Sequence, residues 1–148
     1  MPDALRQTFH ARRMTPDAGS ITDPKYPFEK LEVWQLAVDL TEAVYVVARD
    51  LPRSESFVLG DQIRRASVSV SLNIAEGRAA DSEPEFNRFL GIALKSLVEV
   101  EACLRLGGRL GLMDTENADG ICAVADPLEA KLRTLRARLK KTRGRSAP

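Results

Sequence analysis

The sequence predicts an all-α protein, an antiparallel up-down-up-down four-helix bundle. Three observations lead there. Four segments repeat apolar residues at spacings of three and four, the connections between them are a few residues long, and helix start and stop signals stand at those connections. At 148 residues the chain has a single-domain length that can bury one core. Aromatics make up 5% of it, so aliphatic and small side chains must fill that core.

Residues 1–27 lack periodicity and are punctuated by Pro2, Pro16, Gly19, Pro24 and Pro27, which reads as a disordered leader, with Met14 as an alternative start. The first helix should run from about Glu29 to Leu51. Leu31, Trp34, Val38, Thr41, Tyr45 and Ala48 step by three and four, the seam of a helix packed on helices. A second stripe of Val33, Leu36, Ala37, Leu40, Val44, Val47 and Leu51 leaves a narrow polar strip. Two stripes imply burial on two sides, inside the bundle and against another subunit. Val33, Leu36, Leu40, Val44 and Val47 are assigned to that subunit interface. Pro52 closes the helix, because the residue before proline disfavours helical geometry.

The second helix should start after Arg53, with Ser54 as N-cap, and reach Ala79 or Ala80. Leu59, Ile63, Ala66 and Val70 form one seam; Val68, Leu72 and Ala75 form another. Between them lies a polar ridge of Gln62, Arg65, Ser69, Asn73 and Glu76. The third helix has the clearest start: Ser82-Glu83-Pro84-Glu85 places serine at the N-cap, proline in the first turn and glutamate at the capping-box position. Phe86, Leu90, Ala93, Leu97, Val100 and Leu104 make its seam, Lys95/Glu99 and Glu101/Arg105 are i,i+4 pairs on its wet side, and Gly111 is the C-cap signal. The fourth helix should begin behind Asp114 and continue to about Lys141, kinked at Pro127, with residues 142–148 a frayed basic tail. The bundle therefore spans residues 28–141.

Charge is distributed unevenly. Residues 28–130 carry 10 Lys/Arg against 18 Asp/Glu, a net of −8, whereas Lys131, Arg133, Arg136, Arg138, Lys140, Lys141, Arg143 and Arg145 follow with no acid among them. An acidic body with one basic arm is the organisation to explain.

Several functional classes fall away. No apolar run has the ~18 residues a membrane span needs, and the N-terminus lacks a signal peptide's apolar core, so a cytoplasmic protein without a membrane partner is expected. Di-metal centres in bundles use Glu-x-x-His pairs, but the single histidine is His10, in the leader. The same shortage removes Ser-His-Asp and Cys-His catalysis. Cys103 and Cys122 lack Cys-x-x-Cys spacing and read as core packing. Gly107-Gly108-Arg109-Leu110-Gly111 follows no strand and lacks Gly-Lys-Ser/Thr, so it is a helix end and not a phosphate loop. No catalytic, metal or cofactor site is expected.

Phe28-Glu29-Lys30-Leu31-Glu32-Val33-Trp34-Gln35 resembles the opening signature of the four-helix bundle family encoded in bacterial 23S rRNA intervening sequences. The run from Gln62 to Val70, followed by Ser71-Leu72-Asn73-Ile74-Ala75-Glu76-Gly77-Arg78, resembles the family's central motif, and Phe86-Asn87-Arg88-Phe89-Leu90-Gly91-Ile92-Ala93 its third-helix start. The likeness covers about Phe28 to Leu112. It departs at Lys95, before Ser96, where the family often has glycine, and at Ser71, which replaces a frequent proline. The resemblance implies a homopentamer. It also implies similarity to the accessory variability determinant of diversity-generating retroelements, which binds nucleic acid and a reverse transcriptase.

Two candidate sites follow. The ridge of Gln62, Arg65, Ser69, Asn73 and Glu76 reads either as a buried network fixing helix register or as a surface for RNA or protein. Its small flanking residues favour the structural reading. The basic arm, with Arg64 from the second helix, is the nucleic-acid candidate, since Lys/Arg clusters gain affinity by releasing counterions from phosphates. The expected function is a non-enzymatic homo-oligomeric adaptor for nucleic acid, RNA more than DNA. The competing expectation is a protein-interaction scaffold, because the acidic body repels nucleic acid everywhere except the arm.

Overall fold

The computed structural model describes residues 23–145, with side chains described as far as Thr142. The expected leader therefore lies largely outside the described residues, as do Met14, His10 and the side chains of Arg143 and Arg145. Four helices follow: α1 (Glu32–Arg49), α2 (Leu59–Arg78), α3 (Glu83–Arg109) and α4 (Thr115–Arg145). Each packs on its chain neighbours and α4 closes the ring against α1. With connections this short the helices alternate in direction. Strands are absent among the described residues.

The helix starts follow from their caps, and two differ from expectation. Before α1, Pro27–Lys30 form a 3-10 turn, so the α-helix begins at Glu32 and not at Glu29. Local contacts hold the turn: the Glu29 carboxylate accepts from the Tyr26 backbone N–H at 2.7 Å, and Gln35 donates to the Glu29 carbonyl at 3.0 Å. Before α2, Ser54 sits in a second 3-10 turn, Arg53–Glu55, and is no N-cap; the helix starts behind Val58. At α3 the Ser82 hydroxyl accepts from the Glu85 N–H at 3.3 Å, the expected cap. At α4 the Asp114 carboxylate accepts from the Glu116 N–H at 2.8 Å.

The α3 terminus is a Schellman turn. Gly111 takes φ +67°, Leu112 N–H donates to the Gly107 carbonyl at 2.9 Å, and Gly111 N–H donates to that of Gly108 at 3.2 Å. Pro127 lies within α4, which continues through it to Arg145, beyond the expected end near Lys141. Pro127 is exposed, so the carbonyl that loses its donor there can turn to water.

The core is aliphatic, as the composition requires. Leu40, Ile63, Ile74, Leu90, Leu97, Leu104, Ile121, Leu128 and Leu132 are its largest fully buried side chains, and Cys103 and Cys122 are buried among them. The assignment of the two α1 stripes is reversed. Val33, Leu40, Val44 and Val47, expected at a subunit interface, are 6%, 0%, 0% and 4% exposed and belong to the core, with Leu36 packed at its edge. The middle of the other stripe lies outward between α1 and α2, with Tyr45 42% exposed and Val38 and Thr41 half-buried, while Ala48 is buried and Leu31 and Trp34 pack on the core. Thr41 is a polar member of that stripe: its hydroxyl donates to the Ala37 carbonyl of its own helix at 2.8 Å and lies 3.1 Å from the Ser67 carbonyl and 3.4 Å from the Ser71 hydroxyl of α2. Burying the Thr41 hydroxyl and the Tyr45 phenol would cost more than burying aliphatic side chains, so the all-aliphatic stripe takes the interior.

Candidate nucleic-acid interface

The basic arm divides into two parts along α4. Lys131 pairs with Glu32 of α1 at 3.0 Å, and Arg133 with Glu129 one turn back at 2.6 Å. Arg136 donates to the Asn87 side-chain carbonyl of α3 at 2.8 Å and lies flat over Gly91, where a Cβ would stand 3.0 Å from its guanidinium. Farther on, Arg138, Lys140 and Lys141 are exposed and make no ion pair among the described residues. Of the six described cations of the expected arm, Lys131 and Arg136 tie α4 to α1 and α3, Arg133 is paired within α4, and three remain available to an outside anion.

Arg64 sits apart from the arm. Its guanidinium donates to the Ala48 carbonyl at 3.2 Å and the Ser56 carbonyl at 3.3 Å, with Asp61 3.8 Å away. Those carbonyls belong to the end of α1 and to the connection before α2, so Arg64 closes a helix terminus. Its donors are directed inward, which corrects its expected place at a nucleic-acid surface.

The α2 ridge also divides. Ser69 shares a hydrogen bond with Ser96 of α3 at 2.9 Å, and Asn73 donates to the Ser69 carbonyl at 2.8 Å and its hydroxyl at 3.1 Å, a part-buried network across the α2/α3 seam. Gln62 donates to Glu99 at the surface. Arg65 has an 80% exposed side chain, 3.7 Å from Asp61, and Glu76 is exposed, so neither joins the network. Below the network the helices close tightly: a Cβ on Gly77 would stand 2.8 Å from Phe86 and Phe89.

Charge elsewhere departs from the i,i+4 expectation. Arg105 pairs with Asp119 of α4 at 2.5 Å instead of settling on Glu101. Burial first, then the carboxylates of Glu129 and Asp126, push the Glu101 carboxyl above the usual carboxylate range, with Arg105 and Arg133 opposing. Burial likewise raises the Cys103 and Cys122 thiols, which keeps them protonated and unreactive. Among the described residues no group of His, Cys, Asp and Glu side chains could hold a metal ion, and no helix is long and apolar enough to cross a membrane.

Sequence reasoning missed one cluster. Tyr26 stacks on Phe28 with ring centroids 5.6 Å apart and planes 4° from parallel, and Phe28 leans on Trp34 at 5.1 Å. The signal available was Tyr26-Pro27-Phe28 just ahead of Trp34, obscured because Tyr26 and Pro27 fall in a stretch without periodicity.

A solved structure of similar architecture is a protein with unknown function from the S23 ribosomal protein family of Bacteroides thetaiotaomicron. It is 26% identical with a TM-score of 0.66, over 70% of this chain and 97% of that one. No curated protein matches the chain. The family model for 23S rRNA-intervening sequence proteins matches residues 29–134, from the turn before α1 to the tethered part of the arm. With most of the bundle inside that match, the chain belongs to the 23S rRNA-intervening sequence protein family.

Proposed function

We propose that this protein is a non-enzymatic, homo-oligomeric adaptor that binds nucleic acid, RNA in preference to DNA, through the free end of α4. One observation carries the reading: Arg138, Lys140 and Lys141 stand exposed, with no ion pair among the described residues, past the last cation tied to the bundle. Such a group captures phosphates without reading bases, and the acidic body confines a polyanion to that end. The test is binding of labelled RNA and DNA oligonucleotides across a salt series. Affinity should fall steeply as salt rises, and replacing Arg138, Lys140 and Lys141 by alanine should flatten the log–log slope by about two. Binding indifferent to salt, or none at low salt, overturns the reading.

Self-assembly is the second part of the proposal, with its face relocated. The outward stripe of Val38, Thr41 and Tyr45 on α1, with the 54% exposed Leu72 on α2, is apolar surface that a second copy would cover. Light scattering should report several copies per particle, five in the proposed pentamer, and Tyr45→Glu with Leu72→Glu should dissociate them.

A protein-scaffold reading is favoured by a different patch. At the opposite end, where Leu59 of α2 lies beside Gly107 of α3, Phe57, Val58, Leu106 and Leu110 are 82%, 64%, 51% and 61% exposed. A protein co-purifying through nuclease treatment and lost on Phe57→Ser would favour it.

A further inference from the structure

We infer that the Tyr26–Phe28–Trp34 stack is a base-stacking platform, and that the nucleic acid this protein takes is single-stranded. The inference rests on the nucleic-acid reading above and specifies its ligand.

A duplex keeps its bases stacked on one another, whereas a single strand offers free π-faces. Proteins that bind single strands combine cations along the backbone with aromatic rings that receive bases. Both parts are present at one end of this bundle. The rings form a short ladder: Trp34 is half-buried and packs on the core, Phe28 leans on it, and Tyr26 lies parallel to Phe28 with 48% of its surface exposed. A tyrosine placed for packing alone would turn its ring inward. This one instead rests on Phe28, with the Lys25 ammonium over its ring, which leaves the ring little freedom to lose when a base takes the place of that ammonium.

The backbone around Tyr26 is fixed as well. Its N–H donates to Glu29 at 2.7 Å, and Pro27 locks the following turn. The Lys25 ammonium stands 5.3 Å from the Tyr26 ring centroid, close enough to meet the phosphate of a base seated there. Two nearby acids are already engaged, Glu29 by the Tyr26 N–H and Glu32 by Lys131.

That Lys131–Glu32 pair also relates the two parts, since it ties α4 to the first turn of α1, the helix that carries the ladder. The free cations begin at Arg138, two turns farther along α4. The turn that carries the ladder packs on α1 and α2, so the platform and the arm stand on opposite sides of the start of α1. A few nucleotides of extended strand cover such a span; a rigid duplex resting on the arm offers no base to the ladder. Tyr26 and the cations from Arg138 onward lie outside the segment matched by the family model.

The experiment compares a short labelled oligouridylate with an RNA duplex of equal length, by fluorescence anisotropy at low salt, for the full chain and its Tyr26→Ala and Tyr26→Phe variants. Tyr26→Ala should weaken oligouridylate binding roughly tenfold, the loss of about one stacked base, and leave duplex binding unchanged. Tyr26→Phe keeps the π-face and should bind as the parent does. Equal loss on both ligands, or full oligouridylate affinity in Tyr26→Ala, overturns the inference while leaving the electrostatic reading intact. Failure of the parent to bind either ligand overturns both.

Discussion

The two halves of the basic stretch on α4 carry the same residue types and do opposite things. From Lys131 to Arg136 each described cation has found a partner: a carboxylate of α1, a carboxylate one turn back, or an amide of α3. From Arg138 to Lys141 none has an ion-pair partner among the described residues. The difference lies in what is within reach. Glu129 is the last acid in the sequence, and a helical i,i+4 pair carries its influence as far as Arg133. Arg136 is held by Asn87 across the α3/α4 seam. Beyond it the chain supplies no further acid, and the charge stays unspent. A basic run is therefore better judged by how many of its members lie past the last available acid than by its total.

If that division is right, mutations in the two halves should separate stability from binding. The largest effect is expected at Leu132, fully buried between Lys131 and Arg133. Leu132→Ala should cost about 2–5 kcal/mol of unfolding free energy by chemical denaturation. Arg136→Ala comes next, at about 1–2 kcal/mol, because it removes the hydrogen bond to Asn87 and the cover over Gly91. Arg136→Lys should not restore it, since lysine lacks the planar fork that lies on the glycine. Replacing Arg138, Lys140 and Lys141 by alanine should move stability by less than ~0.5 kcal/mol while weakening low-salt binding and flattening its salt dependence. A triple variant that unfolds, or an Arg136→Ala protein as stable as its parent, would erase the distinction between the halves.

What the sequence made legible follows the same rule of reach. The helix ends at Pro52, Ser82, Gly111 and Asp114 were readable because each signal acts within about four residues. The α1 stripes were both visible, but their roles were not. Two apolar stripes on one helix satisfy the same periodicity, and which of them meets the interior depends on α2, whose Ser67 carbonyl lies beside the Thr41 hydroxyl from 26 positions away. Arg64 was misread for a similar reason: its partner carbonyl at Ala48 lies 16 positions earlier and is not a side chain. Arg136 and Asn87 are 49 positions apart. The ridge was half legible, since Ser69 and Asn73 bond locally, while Ser96, which completes their network, belongs to another helix.

The smallest expected effect sharpens the contrast from the acidic side, just before the arm begins. Glu101 of α3 faces Asp126 and Glu129 of α4, and burial together with those two carboxylates raises its pKa. Folded Glu101 thus holds its proton to higher pH than the unfolded chain does, so ionising it weighs against the folded state. Its effect on stability is most favourable below the unfolded pKa. Stability should decline as pH rises from the ordinary carboxylate range to the raised value, then level off. Glu101→Gln removes the ionisation and should abolish that decline, raising stability at neutral pH by less than ~1 kcal/mol because the site is largely solvated. Denaturation midpoints for both proteins, measured from acid to neutral pH, should converge at the acid end and part toward neutrality. Parallel curves would mean that Arg105 and Arg133 already neutralise the cluster. The tethered half of the arm would then be balancing the body's charge as well as fastening α4.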